Sequence, residues 1–314
     1  MDKVCFGIDV GGTTVKIGLF TTDAKLIDSM EIPTRKEEEG SHILSDICEV
    51  IEAKLVEKKI TRDDLIGVGI GIPGPITKDG TVLNCVNLGW GMFNVEEKLS
   101  QMLGGIKVKA GNDANVAALG ETWQGGGRGF EDIVLVTLGT GVGGGVIIGG
   151  KIVTGSNGAA GEIGHIPVVE GDDAEKCGCG KMGCLETVGS ATGIVREAKK
   201  LLAKSSEGSV LRNTEEFTCK DIFDAAKEGD KLAMEVVDKL AFYLGKAIAG
   251  IAAVTNPQVI VIGGGVSKAG KFLLDKIEEH FIKYAFHATK NAKFALATLG
   301  NDAGMYGAAA LMLD

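Results

Sequence analysis

Apolar residues in this chain recur in short unbroken runs closed by glycine clusters, with stretches of helical period between them. Val4–Val10 is such a run and predicts a buried strand. A tight Gly11-Gly12-Thr13-Thr14 turn follows, then a second strand from Val15 to Phe20. From Ser41 to Lys58 the residues Ile43, Leu44, Ile47, Val50, Ile51 and Leu55 keep the spacing of one helix face. Gly67–Ile72 reads as a buried strand ending at Pro73-Gly74-Pro75. Val95–Met102 predicts a short helix and Ile106–Lys109 a strand that leads into Gly111-Asn112-Asp113. Ala114–Trp123 predicts a helix that the glycines at 125–129 stop. Ile133–Leu138 is again a strand, followed by GTGVGGG, a strand at Val146–Ile148, a Gly149-Gly150 turn and Ile152-Val153. Helices dominate beyond Thr187. The longest, Lys231–Val254, stops at Asn256-Pro257. Val259–Ile262 is a strand, three glycines and a helix toward His280 follow, and a small-residue helix spans Ala303–Leu313.

The segments GIDVGGTTVKIGLF and LVTLGTGVGGGVIIG share one plan, a strand, a glycine–threonine turn and a strand, with Asp9 opposite Thr137. Such a repeat suggests a duplicated α/β unit and two similar domains, with the glycines at 125–129 as the hinge. A length of 314 residues also favours two domains. The formal net charge of −9, without a basic run, argues against a nucleic-acid partner. No stretch is long and apolar enough for a membrane span, Asp9 interrupts any signal-like run, and a cytoplasmic location is expected. Forty-eight glycines are about twice the usual ~7% share, and their loops allow close approach of backbone to phosphate.

Chemistry concentrates in GEIGHIPVVEGDDAEKCGCGKMGCLE, Gly161–Glu186. His165, Cys177, Cys179 and Cys184 can complete a tetrahedral zinc site, with Glu162 and Glu186 at the two ends. Acids on a metal-stapled loop suit a polyhydroxyl ligand. A disulfide pair with a spare thiol is the alternative reading. Cys5, Cys48, Cys85 and Cys219 read as small buried hydrophobes, and Asp172, Asp173 and Glu175 as solvated surface. Gly139–Gly144 fits a dinucleotide fingerprint, but β structure follows where that motif needs a helix. GVSKAGKF at Gly265–Phe272 is one residue short of a P-loop, with Phe272 where Ser or Thr must stand. Two glycine–threonine turns remain as anion-binding concavities, Gly11–Thr14 and Gly139-Thr140-Gly141. Asp9 beside the first suits magnesium through water, or is an ordinary strand-end Asp. Asn112-Asp113 is a helix N-cap, or a cap that also places Asp113 as a general base.

Together these pieces resemble the ROK family of sugar kinases, within the actin-like, ribonuclease-H-like ATPases. The likeness is carried by DVGGTTVKIG, GIGIPGPI, NDANVAALGE, TLGTGVGGG, GEIGH, CGCGKMGCLET, GGGVSKAG and GNDAG, and covers nearly the whole chain. It is strongest to members that phosphorylate glucose and hold zinc, through VNLGW at Val86–Trp90. The resemblance implies an α/β fold of two duplicated mixed-sheet domains: residues 1–120 joined by a C-terminal helix at 302–314, and residues 121–301 with the zinc loop. It implies ATP-dependent transfer to a hexose O6, with Asp113 as base and Asn112, Glu162, His165, Glu186, Gly71 and Asn87 around the sugar. It places Asp9, Gly11, Gly12, Thr13 and Thr14 at Mg2+ and phosphate, Gly139, Thr140 and Gly141 at phosphate, and Gly264 and Gly265 near adenosine. It makes His165, Cys177, Cys179 and Cys184 ligands of a structural Zn2+, and it implies a homodimer whose domain cleft closes on sugar. N-acetylmannosamine, fructose or allose are the rival substrates. A sugar-sensing repressor is the rival function, and the start at Asp9 leaves no room for its DNA-binding segment.

Overall fold

The computed structural model describes residues 3–214 and 216–313. In chain order the strands and helices begin with β1 (Val4–Val10), β2 (Thr14–Thr21), β3 (Leu26–Pro33), a single turn α1 (Glu37–Gly40), α2 (Ile43–Lys58) and β4 (Leu65–Ile72). They continue with β5 (Thr81–Val82), β6 (Phe93–Asn94), α3 (Val95–Met102), β7 (Val108–Asn112), α4 (Asp113–Gln124), β8 (Ile133–Leu138), β9 (Val142–Ile148) and β10 (Lys151–Ile152). Then come α5 (Glu186–Gly189), α6 (Ala191–Lys204), α7 (Cys219–Lys227), α8 (Lys231–Thr255), β11 (Val259–Gly263), α9 (Lys271–Tyr284), β12 (Lys293–Leu296) and α10 (Ala303–Ala310). Asp314, the last residue of the expected C-terminal helix, lies outside the described residues.

The two large sheets have the same plan. One orders β3-β2-β1-β4-β7 and the other β10-β9-β8-β11-β12. In each, an antiparallel ribbon adjoins a parallel trio: β1, β4 and β7 in the first, β8, β11 and β12 in the second. Equivalent residues occupy equivalent registers. Asp9 pairs with Gly71, and Thr137, its counterpart in the repeat, pairs with Gly263. The duplication inferred from two glycine hairpins therefore extends to whole sheets.

Several boundaries differ from the sequence reading. β7 begins later and runs through Gly111 and Asn112, because its parallel ladder with β4 extends to Ile72. β9 starts at Val142 and passes through three glycines, since a ladder needs only backbone groups. β3 was missed: its inward-facing residues include Asp28, which breaks the apolar alternation and instead bonds Lys54 and Lys58 of α2 at 2.9 Å each. β12 is a four-residue edge strand too short to show a period.

The chain forms two compact units, Met1–Glu131 with Gly145–Gly161 and Leu299–Asp314, and Asp132–Gly144 with Glu162–Thr298. The first unit extends to Glu131 because the glycines after α4 fold back on it. Glu121, buried, takes the Gly126 N–H at 2.7 Å, and its carbonyl takes those of Gly125 and Gly127. One core of this unit joins β1, β2 and β4 to α2 and α3. On the sheet's other face α10 lies in backbone contact with β1, β4 and α4. A Cβ on Gly69 would come 1.7 Å from the Ala308 carbonyl oxygen, and one on Gly307 equally near that of Val116. Only glycine permits this approach. The second unit is built on β11, buried along its whole length, and α8, whose 25 residues bury one face from Leu232 to Ala252.

Gly69→Ala should therefore cost about 3 kcal/mol or more through overpacking, whereas Gly91→Ala, with open space around the new carbon, should stay within about 0.5 kcal/mol. Chemical denaturation of both variants checks this, and equal midpoints would contradict the packing argument.

Candidate active site

In the first unit the candidate residues gather at the carboxyl ends of parallel strands, where open α/β sheets bind ligands. Register places Asp9, Gly71 and Gly111 in one row across β1, β4 and β7. Gly71 leaves room for α4: a Cβ there would touch Val116 at 3.4 Å. One residue past Gly111, Asn112 ends β7 and caps α4. Its Oδ1 accepts from the N–H groups of Ala114 and Asn115, and its Nδ2 donates to the Gly74 carbonyl at 3.1 Å. The capping reading of Asn112 is thus realised, and it fixes the place where Asp113 opens the helix. Asp113 Oδ1 accepts from the Ala114 N–H at 2.8 Å.

Asp9 lies close enough to Asp113 and Asp302 to feel their charge. Burial, then Asp113, pushes its carboxyl up to about 6, with Asp302 adding to this and Lys16 opposing it. The Asp9 carboxylate also lies against the first turn of α10, where a Cβ on Gly304 would stand 2.5 Å away. Lys16, paired across the hairpin with Asp9, donates to Asp302 at 3.0 Å and to the Asn301 carbonyl at 3.1 Å. Asp113, Asp302 and Lys16 together set the charge that Asp9 feels. Lys16, Asp302 and Gly304 were not among the site residues read from sequence, although GNDAG contains two of them. The Gly11–Thr14 turn closes through Gly11 N–H to the Thr14 carbonyl at 2.9 Å. Thr34, buried at the end of β3, holds that turn, its Oγ1 donating to the Gly11 carbonyl at 2.7 Å. No sequence signal pointed to Thr34. Asn87 sits exposed on a short turn, Val86–Leu88. The rest of VNLGW is structural: Leu88 is buried, and buried Trp90 donates to the Gly40 carbonyl at 3.0 Å.

In the second unit His165, Cys177, Cys179 and Cys184 converge, with one ligand atom from each within 4.8 Å of the others. His165 Nδ1 is 3.6 Å from the Cys177 sulfur, and Cys179 and Cys184 sulfurs are also 3.6 Å apart. Thiolates on a tetrahedral zinc stand roughly 3.8 Å apart, so this set fits zinc. All seven cysteines are free thiols, as the metal reading requires and the disulfide alternative does not. Burial pushes the Cys184 thiol up to about 12 and raises Cys177, while the Lys181 backbone N–H lowers Cys179. The loop is closed by pairing of Pro167 with Cys184 and of Lys176 with Met182. Glu175 is not merely solvated: Lys200 of α6 grips it at 2.6 Å, tying the loop to that helix.

With Nδ1 turned to the sulfurs, His165 Nε2 faces Glu162 Oε2 at 3.8 Å. Glu186 opens α5 with Oε1 3.7 Å from the Cys177 sulfur and Oε2 accepting the Val142 N–H at 3.1 Å. A Cβ on Gly141 would lie 2.3 Å from that oxygen. The Gly139–Gly141 turn closes with Gly139 N–H to the Gly141 carbonyl at 2.9 Å, leaving Thr140 exposed. Gly264 and Gly265 follow the carboxyl end of β11, both exposed. Cys5 and Cys85 are buried as expected, and burial raises both thiols. Cys48 and Cys219 are half-buried.

A duplicated sheet, each copy opening with a hairpin turn at a strand end, defines the actin-like ATPase class. Residues 5–314 match the ROK family, and the chain belongs to it. A glucokinase of Halalkalibacterium halodurans is 46% identical over 98% of this chain and 94% of its own. A glucokinase of Thermotoga maritima is 36% identical, over 98% and 96% respectively. The crystal structure of a ROK family glucokinase from Streptomyces griseus with glucose and AMPPNP superposes with a TM-score of 0.74 at 34% identity, over 98% of each chain. Among the described residues no helix is long and apolar enough to cross a membrane.

The raised Asp9 carboxyl has a consequence for stability. The folded protein holds this proton to about pH 6, while the unfolded chain releases it near the ordinary 3.8. Stability therefore falls as pH rises from about 4 to about 6, by on the order of 3 kcal/mol for this group. Asp9→Asn should melt above wild type at pH 8 in magnesium-free buffer and match it near pH 4. An Asn variant that is less stable at pH 8 would refute the burial argument.

Proposed function

We propose that this protein transfers the terminal phosphoryl group of ATP to O6 of D-glucose. The observation that carries this reading is Asp113, set by the Asn112 cap at a strand end within electrostatic reach of Asp9. An ordinary carboxylate cannot strip a sugar hydroxyl in the ground state. It can take the proton as that hydroxyl commits to a loose, metaphosphate-like phosphorus, and for this Asp113 needs position more than basicity. Glu162, Glu186 and His165 Nε2 are the second unit's candidate contacts to sugar hydroxyls, and Asn112, Gly71 and Asn87 are those of the first unit. The Gly11–Thr14 and Gly139–Gly141 turns offer backbone N–H groups to phosphate, and Gly264 and Gly265 border the adenosine. Mg2+ bound with the nucleotide would neutralise charge on the phosphates, and Asp9 is the residue that would hold it. Zn2+ is structural, because four protein ligands leave no open position. Through it His165 keeps one tautomer and a fixed ring. Likeness to the glucokinases supports glucose over other hexoses, and the family likeness supports a cytoplasmic homodimer.

ADP release from Mg-ATP across a hexose panel tests the reading. Glucose should lead in kcat/KM, with mannose and N-acetylated hexosamines behind by roughly tenfold or more, because an inverted hydroxyl leaves a buried acceptor unpaired. A lead for N-acetylmannosamine or fructose would replace glucose and leave the kinase reading intact. In the same assay Asp113→Asn, which keeps the shape and the helix start, should lower kcat by about 10² to 10⁴ and change sugar affinity far less. Retention of more than about a tenth of kcat would remove Asp113 as base.

Protein prepared without chelator should carry about one zinc per chain. Cys179→Ser should lose the metal and raise KM for the sugar, since His165 and Glu186 lose their anchor. Less than about half an equivalent of zinc in the wild type would contradict a structural site.

A further inference from the structure

Both ends of the metal loop press on Val142, the first residue of β9, directly after the second glycine–threonine turn. At the first end Gly164, next to His165, lies so close to Val142 that a Cβ would stand 2.1 Å from the Val142 carbonyl oxygen. At the second end Glu186, two residues past Cys184, accepts the Val142 N–H at 3.1 Å. The two ends are bound to one another by Leu185 N–H to the Ile166 carbonyl at 2.8 Å. A third tie, the Ala191 N–H to the Gly139 carbonyl at 2.8 Å, fixes the other side of the turn. Val142 is itself buried and follows Gly141 directly. The turn therefore owes its shape to contacts outside its own hairpin, and those contacts begin at two ligands of the Cys/His cluster.

We propose that the Cys/His metal cluster sets the conformation of the Gly139–Gly141 turn, with Glu186 as the positioning residue between them. Four ligands on one ion fix the spacing of His165 and Cys184, and hence of Gly164 and Glu186 about Val142. Without the ion the four side chains are held only by weak thiol contacts. The two ends then keep only their backbone pairing at Ile166–Leu185 and Pro167–Cys184, and the hold of Glu186 on the Val142 N–H loosens. The consequence for ligand binding rests on the reading of this turn as a phosphate site: metal loss weakens nucleotide as well as sugar.

Amide exchange resolved at Val142 tests the positioning claim without any ligand. Three proteins are compared: metal-loaded wild type, chelator-stripped wild type, and Glu186→Ala, which retains all four metal ligands and is confirmed to hold its metal. Exchange at Val142 should quicken about tenfold or more in both altered proteins, in keeping with loss of a hydrogen bond to a charged acceptor. Val259–Gly263 in β11 should keep its protection. Unchanged exchange at Val142 after stripping overturns the proposal, as does quickening in Glu186→Ala alone. Loss of protection throughout β11 on stripping also overturns it, since the metal would then support the whole unit and not this turn. A titration with Mg-AMPPNP separates the two claims. Metal-loaded Thr140→Val should bind about tenfold more weakly, as should stripped wild type. If Thr140→Val binds like wild type while the exchange result holds, the turn is not the phosphate site and the positioning role of Glu186 stands.

Discussion

The parallel ladder of β1, β4 and β7 is the constraint on which the first unit's candidate residues depend. Its register aligns Asp9, Gly71 and Gly111 and delivers Asn112 and Asp113 just beyond them. Hydrogen bonds along a ladder tolerate no half steps. A shift of one residue would turn Asp9 to the opposite face of the sheet. α10 locks the same register from above. It sits on β1 and β4 with no side chain between the backbones at Gly7 and Gly69, and its first turn meets the Asp9 carboxylate at Gly304. The electrostatic strain on Asp9 is thus a product of packing. A carboxyl that is buried, near two other acids and backed by one lysine holds its proton more tightly than an ordinary one.

The second unit solves a similar problem with different means. Its parallel trio brings Thr137 to the place that Asp9 holds in the first copy, in register with Gly263. A hydroxyl there brings no charge. The acidic groups of this unit come instead from a long excursion, Glu162–Glu186, that leaves the sheet and returns. Such a loop is held in part by its buried Ile163, Val169 and Leu185 and needs further local restraint. Pairing at Pro167 and Cys184, the Lys200–Glu175 ion pair and the Cys/His cluster supply that restraint locally. An exposed ion pair contributes little, on the order of 1 kcal/mol or less, so the cluster is the dominant candidate for fixing the loop.

The same geometry explains why Glu186 has two partners. One oxygen approaches the cluster and the other accepts the Val142 N–H just after the Gly139–Gly141 turn. A carboxylate that accepts a backbone N–H is held in a defined rotamer. Asn112 is used in the same manner, its amide split between the helix cap and the Gly74 carbonyl. In both cases a residue type read as a ligand contact is first a support for its neighbours.

Much of this was legible in the sequence for local reasons. Runs such as Val4–Val10 and Ile133–Leu138 declare strands because a buried strand needs apolar residues on both faces. Asn112-Asp113 declares a helix start because a cap needs a side-chain acceptor at that position. The cysteine spacing declares a metal cluster because four ligands within one loop can reach one ion. The sequence by itself determined most of the order of elements, the duplication, the helix that Asp113 opens and the Cys/His set. Tertiary structure alone decided what meets across distance. Thr34 braces the first turn, Asp302 joins Lys16 beside Asp9, and Glu175 binds Lys200, although none of these pairs is close in sequence. Asp28 hid a strand because its partners lie on a helix. The reason is the same in each case. Periodicity records which face of an element is buried, whereas partners of polar groups depend on how separate elements dock, and no local pattern encodes that.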